Sequence, residues 1–461
     1  MRRPDNDVYD VAVVGGGNAG VCAALAARDE GAHVLLLERA DEVWRGGNSK
    51  YTRNIRCASF DDSYPVDELL GDLADVGDIA NRSLATLIAE ESRTIGRWME
   101  AHGALWQPPL SGTLQLERTN RFFLGGGKAL LNKYYQTAHN MGIQVLYSHQ
   151  VESVSLSRPG IVRLEVTTLG STKTVAARTA IIAAGGFESN RAWLSKQWGP
   201  EAVKNFIIRG TSLNDGKMLR VLATLGAKIV GNERSFHSVA VDARAPAYDG
   251  GIVTRVDSIP FGIVVNKHGL RFYDEGEDIW PKRYAIWGRL IAQQEDQIAY
   301  SIFDSQTIGR FIPPLFEPVC AESVDQLAGE LRLDPKRLAK TISTYNASIV
   351  RRDEVNGGSS VNLIPPKTRW ATPIAAPPFY AYPLRPGITF TYLGVAVDNN
   401  MRVESASGET FERIWAAGEI MAGNVLSEGY LAGFGMTIGT ISGRYAGRNA
   451  AIAAQRSESG G

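Results

Sequence analysis

Cysteine is nearly missing from this chain: Cys22, Cys57 and Cys320 are the only three in 461 residues. They are odd in number, far apart and without a C-x-x-C pair, which argues against a disulfide framework, a structural zinc site or an iron–sulfur cluster. A haem motif C-x-x-C-H is missing as well, and a reducing, cytoplasmic location is the expectation. Charge of one sign is not in excess either, with 49 basic and 49 acidic residues. Bulk attraction to nucleic acid or to an anionic membrane is therefore not expected. Long apolar runs are also lacking. Three glycines, Gly15 to Gly17, split the first one, and Glu428 interrupts "GNVLSEGYLAGFGMTIG" near the C-terminus, so no stretch of about 18 apolar residues could span a bilayer. There is no internal repeat and no heptad pattern. What is present is a chain 44% hydrophobic, with 9 Trp, 16 Tyr and 15 Phe. It is too long for a typical single domain and has small molecules as its expected partners.

The strongest signal lies at the start. "YDVAVV" has the length and apolarity of a buried strand, "GGGNAG" follows, and "VCAALAARDEGAHVLLLERA" supplies a helix ending near Gly31, a second strand and an acid, Glu38. Gly15, Gly17 and Gly20 fit G-x-G-x-x-G: one glycine for the tight turn, one for close approach to a pyrophosphate, one for helix packing. Asn18 and Ala19 open the helix, whose N-terminus suits a phosphate, and Glu38 is placed to hold the adenosine ribose. Beyond Arg39 the chain continues as a polar loop containing Gly47, Asn48 and Ser49, where a nicotinamide-binding domain usually begins another helix. Two later apolar strands end in glycine, at Ala184, Gly185 and Gly186 and at Gly418 followed by Glu419. Glycine-terminated strands so far apart suit a long cofactor crossing one sheet, which favours FAD over NAD.

With "VVGGGNAG", "GGNSKYTRN", "AAGGF", "VNKHGLRFYDE" and "AAGEI" in place, the chain resembles the fumarate reductase and succinate dehydrogenase flavoprotein superfamily. Within it, "RPGITFTYLGV" and "AGEIMAGNVLSEGYLAGFGMTIGT" resemble the tricarballylate dehydrogenases and a related flavin module of cobalamin synthesis. The resemblance implies an α/β fold: a Rossmann-like FAD-binding domain in two parts, 1–235 and 389–461, with an inserted α+β capping domain at 236–388. In the insertion, "FGIVVN" and "LRFYDE" read as the two strands of a hairpin turning at His268 and Gly269. "VDQLAGELRLDPKRLAKTISTYNASIVRR" reads as paired helices, and "EVNGGSSVNLIPPKTRW" as a mobile return loop.

The resemblance also implies chemistry: two hydrogens removed or added across a carbon–carbon bond beside a carboxylate or carbonyl, with noncovalent FAD. A separate electron acceptor, a protein or O2, is then needed. Candidate catalytic residues are His237, at the superfamily's substrate histidine, and Arg255, a guanidinium suited to bidentate binding of a substrate carboxylate where fumarate reductases carry the Glu of a proton relay. Arg283 is either proton donor or carboxylate binder. Tyr430 stands at a substrate-binding arginine of fumarate reductases and is either a base or a hydroxyl that hydrogen-bonds substrate. Tyr392 and Arg385 are further candidates for substrate contact, and Gly433 opens a helix directed at the flavin. No metal site is expected. Tricarballylate to cis-aconitate is the family-implied reaction. The superfamily's second substrate histidine is missing, Tyr51 replaces a histidine, and Glu428 adds negative charge just before Tyr430. The missing histidine, with the lost relay Glu, argues against an efficient fumarate reductase, the other two departures point to a less anionic substrate, and an oxygen-using flavin oxidase or monooxygenase is the alternative.

Overall fold

The computed structural model describes residues 8–59, 63–108, 118–157, 160–277, 285–353 and 357–456. The chain forms two compact units. The first comprises Met1–Trp193, Thr211–Phe236 and Phe390–Gly461, the second Leu194–Gly210 and His237–Thr389. Residues 194–210, counted with the flavin-binding part in the sequence reading, thus cluster with the second unit.

The first unit is built on a parallel sheet. Strand β1 (Tyr9–Val14) leads into helix α1 (Asn18–Asp29) and strand β2 (Val34–Leu37); strands β3 (Ser171–Ile182) and β4 (Thr410–Ala416) follow much later in the chain. Parallel pairing joins Val11 to Val34, Val11 to Thr179 and Ile181 to Trp415, giving the order β2-β1-β3-β4. Gln144–Leu146 adds a parallel strand outside β2, and Arg402–Glu404 an antiparallel one outside β4. This is the α/β architecture expected. β1 and β2 are apolar without alternation because parallel strands are covered on both faces.

The apolar, glycine-rich segment near the C-terminus ends in a packing helix. Helix α2 (Phe434–Arg456) lies along α1, with Gly439, Gly443 and Gly447 turned towards it at four-residue spacing. A Cβ on Gly443 would stand 2.4 Å from the Ala19 carbonyl oxygen, and one on Gly447 would stand 2.2 Å from that of Ala23. Glycine is therefore the residue that lets the two backbones touch. Residues 18 to 27 of α1 are all buried, which explains its alanine-rich, all-round apolar sequence. No helix among the described residues is long and apolar enough to cross a membrane.

The second unit is a mixed sheet. Its long strand Phe379–Thr391 pairs antiparallel with Ala299–Asp304 and parallel with Ile207–Arg209, and also pairs with Phe236–Asp242. Helices Val324–Leu331 and Pro335–Ala347 bury Leu327, Leu331, Leu338 and Ile342 against it. Asp334 caps the second helix by accepting from the Arg337 N–H at 3.0 Å.

Two expectations for this unit change. The second arm of the hairpin is not a strand: beyond Ile263–Asn266 the only pairing described is the single bridge Val265–Arg271. Glu275 accepts from the Val264 N–H at 2.8 Å and pairs with Arg271, so a carboxylate takes the place of a strand partner. Nor is the return segment a loose loop. Gly357–Ser360 pairs with Ile349–Asp353, and Lys367, fully buried, donates to the carbonyls of Pro260 and Gly262 at 2.8 Å each. Burial lowers the Lys367 pKa to about 8.

Candidate functional site

The glycines of the first turn need glycine for different reasons. Gly15 has φ +103°, and its Cβ would lie 2.4 Å from the Ala183 carbonyl oxygen. On Gly20 a Cβ would stand 1.8 Å from the Gly15 oxygen. Gly17 is unlike both: its φ is −72°, and a Cβ there would meet no protein atom closer than the Ser49 hydroxyl at 3.7 Å. Neither backbone strain nor the protein's own packing explains that glycine, whereas a diphosphate seated on the helix N-terminus would. The open face at Gly17 is the cradle that FAD requires, and the residues around it fit that group.

The loop and strand ends assemble around this cradle. Ser49, in the short 3-10 helix Gly47–Tyr51, accepts from the Asn18 N–H at 3.1 Å and so occupies the first donor of α1. Asn18 is held by its amide, donating to Thr440 Oγ1 at 2.9 Å. Glu38 is buried at the tip of β2, where its carboxylate accepts from the N–H of Gly16 at 3.0 Å and of Ala40 at 2.7 Å. Burial raises its pKa while these donors oppose the rise. Arg39 turns to the Leu213 carbonyl at 2.6 Å and to Asp215 at 3.1 Å. Gly418 donates to Ser442 Oγ at 2.9 Å, with Ala19 beside it.

Behind Ala184, Gly185 and Gly186 lies a buried polar cluster. A Cβ on Gly186 would collide with Glu419 and with Thr391 Oγ1, each at 2.1 Å, and one on Gly185 would meet Asn214 at 2.9 Å. Glu419 accepts from the Thr391 N–H at 2.7 Å and from its hydroxyl at 3.0 Å. Glu188, fully buried, accepts from the amides of Asn48 and Asn214, both at 2.6 Å. Sequence reasoning missed Glu188, Asn214 and Thr391; an acid two residues beyond "GG" in "AAGGFESN" was the available signal.

Tyr430 is half-buried, its hydroxyl accepting from the Gly435 N–H at 2.9 Å and its ring 5.8 Å from that of Phe390. The next donors of α2 are also engaged: Phe434 N–H to the Leu431 carbonyl at 3.0 Å and Met436 N–H to that of Gly433 at 3.1 Å. The first turn of α2 thus offers its dipole rather than free N–H groups. The turn itself is clamped from below. Arg56, fully buried, donates to the Ala432 carbonyl at 3.2 Å and to the Tyr64 hydroxyl at 2.8 Å, and Asn120 donates to the same carbonyl at 2.7 Å.

In the second unit, residues 254–256 run beside strand Phe236–Asp242, with a bridge from Val241 to Arg255. His237 lies on that strand, 3% exposed, and burial together with the Arg209 charge holds it well below the usual imidazole range. Arg209 donates to the Gly251 carbonyl at 3.2 Å and to Thr389 Oγ1 at 3.0 Å; it was not foreseen from sequence. Arg255, expected to grip a substrate carboxylate, already holds Asp257 through Nε at 2.7 Å and Nη2 at 2.8 Å. Arg385 donates to the carbonyls of Asp296 and Gln297 at 2.7 and 3.3 Å, fixing a turn. Tyr392, also expected to contact substrate, has no exposed surface. Arg283 lies outside the described residues. Among those described, no group of His, Cys, Asp or Glu could hold a metal ion.

Comparison with known proteins agrees with the cradle. The sequence model of the family described as "FAD binding domain" matches residues 10–434. An NADH:fumarate oxidoreductase of Klebsiella pneumoniae is 26% identical over 96% of this chain and 48% of its own length, so this chain spans about half of that relative. A vinyl phenol reductase of Lactiplantibacillus plantarum is 24% identical, with 98% of each chain covered. Among solved structures, a 3-ketosteroid-Δ4-(5α)-dehydrogenase of Rhodococcus jostii shares the fold with a TM-score of 0.74, at 22% identity and 97% coverage of each chain.

Proposed function

This chain belongs to the FAD-binding-domain family, with FAD as its cofactor, and from that premise we propose that it is an oxidoreductase acting on a carbon–carbon bond beside one carboxylate or carbonyl. The relatives act, by their names, on fumarate and on vinyl phenol, so an activated carbon–carbon bond is the common element. Bound FAD supplies hydride exchange. Tricarballylate to cis-aconitate, implied by the sequence resemblance, is the reference reaction, and electrons then pass to a separate acceptor, a protein or O2.

The observation that carries the preference for a less anionic substrate is the Arg255–Asp257 pair. With Nε and Nη2 of the guanidinium held by the Asp257 carboxylate, the charge of Arg255 is already balanced by an anion of the protein itself. Asp257 stands in for the anion that a tricarboxylate would bring. Arg209 supplies the cation and neutral His237 a hydrogen bond to a single carboxylate or carbonyl. Tyr430 carries the proton, its hydroxyl oxygen held in place by the Gly435 N–H.

The test is anaerobic mixing of the FAD-loaded protein with saturated monocarboxylic acids, ketones and tricarballylate while the flavin absorbance is followed. Faster bleaching by a monocarboxylate or ketone is the expected result. Fastest bleaching by tricarballylate, with cis-aconitate formed, would overturn the substrate preference and leave the reaction class intact.

A further inference from the structure

Two carboxyl groups of the first unit meet where no cation reaches them. Glu188 is fully buried and its Oε1 is satisfied by Asn48 and Asn214, but its Oε2, also shielded from water, finds no N–H or O–H donor. The side chains of Glu188 and Glu419 lie within hydrogen-bonding reach of one another. Two carboxylates are acceptors only, so a hydrogen bond between them exists only if one carries a proton.

The surroundings offer nothing that would let both ionise. Asp215, next to Asn214, is paired with Arg39 at 3.1 Å, and Lys217 with Glu152. Lys50, two residues beyond Asn48, directs its amine to the Trp44 carbonyl at 2.9 Å. Asn48, Asn214, Thr391 and the Gly186 backbone, which contact the two acids, are uncharged. Among the described residues no Lys or Arg pairs with either carboxyl.

We infer that Glu188 and Glu419 hold one proton between them, and that this proton makes Glu188 the residue that fixes Glu419 in place for the cofactor. Glu419 is the partly exposed member, with its Oε1 tied down by Thr391, and its remaining oxygen is oriented by the acid behind it. Glu188 is thus a positioning residue, anchored in turn by the loop amide of Asn48. Burial pushes both groups up, Glu419 to about 7, and the charge of Glu419 adds to the rise at Glu188.

The consequence is a pH-dependent grip. The first proton to leave the pair departs from Glu419 near pH 7 while Glu188 keeps the other, and the single negative charge thus formed lowers FAD affinity as pH rises beyond about 7, by up to about tenfold per pH unit. The anionic diphosphate and the further burial on binding favour the protonated pair, which sets that sign.

Two measurements on the full chain test this without turnover, and so independently of the substrate reading. Infrared spectra of the wild type at pH 7 should contain the carbonyl stretch of a protonated carboxylic acid, lost in Glu188→Gln. FAD titration followed by flavin fluorescence between pH 6 and 9 should give a dissociation constant that rises with pH in the wild type and a flattened profile in Glu188→Gln. The glutamine keeps its carbonyl for the two asparagines and donates a permanent N–H to Glu419; Glu419→Gln is the mirror variant. No protonated-acid band in the wild type, or equal slopes in wild type and both variants, would overturn the inference.

Discussion

The cofactor cradle of the first unit and the charged strands of the second are governed by different constraints. Around the cradle the backbone leaves no room: Gly15, Gly20 and Gly443 each bar a Cβ because a carbonyl oxygen already stands within 2.4 Å of where it would be. In the second unit side chains choose one another. Arg244 pairs with Asp242, Arg255 with Asp257 and Arg271 with Glu275, each within four residues of its partner. A backbone constraint allows one residue type, whereas a side-chain constraint allows whichever partner the fold brings near.

That difference decides what could be read from sequence. G-x-G-x-x-G, the paired glycines after β3 and the Gly418–Glu419 strand end identified the fold and its cofactor, because only glycine satisfies those geometries. Arg255 was legible as a cation but not as one already committed, since sequence alone does not say which nearby carboxylate an arginine takes, and it takes that of Asp257 two residues on. The full burial of Tyr392 is likewise not marked by its sequence neighbours. Glu188 was passed over because nothing local marks a buried acid whose partner is 231 positions away.

The widest separation between the two regions comes from adding bulk in one and deleting it in the other. Gly443→Leu forces apart helices in backbone contact and is expected to cost more than about 4 kcal/mol, leaving little folded protein. Arg255→Ala in the second unit should cost less than about half of that, and urea unfolding compares them. Equal costs would remove the distinction.

Removing one oxygen tests the chemistry built on the rigid unit. Tyr430→Phe should retain FAD binding, since its ring still packs on Phe390, while flavin reduction by substrate slows by about 10²–10⁴-fold. A change of less than about threefold in stopped-flow bleaching would assign the proton to another residue.

Gly17→Ala refines the comparison inside the cradle. No protein atom lies within 3.7 Å of the added carbon, so the stability of the FAD-free protein should change by no more than about 0.5 kcal/mol. The carbon would instead enter the space of the diphosphate, and FAD affinity should fall by about tenfold or more. Gly20→Ala, with its carbon 1.8 Å from the Gly15 oxygen, should lose both stability and affinity. Thermal unfolding with and without FAD separates the two glycines.

The smallest effect belongs to His237, where the second unit behaves for once like the first, with a buried group and little latitude. Burial and the Arg209 charge depress its folded-state pKa, so the folded protein excludes a proton that the unfolded chain binds near pH 6.5. Stability from keeping the ring neutral is therefore fully present above that pH and is lost as pH falls below it. One unit lower, at pH 5.5, the loss is at most about 1.4 kcal/mol. Other groups titrate in the same range, so the informative quantity is the difference between wild type and His237→Gln, which cannot take up the proton. Urea midpoints measured from pH 7 to 5.5 should converge for the two proteins as the wild type weakens. Parallel curves would mean that the imidazole is protonated in the folded state beside Arg209, and with it the neutral hydrogen-bonding role proposed for this residue would fall.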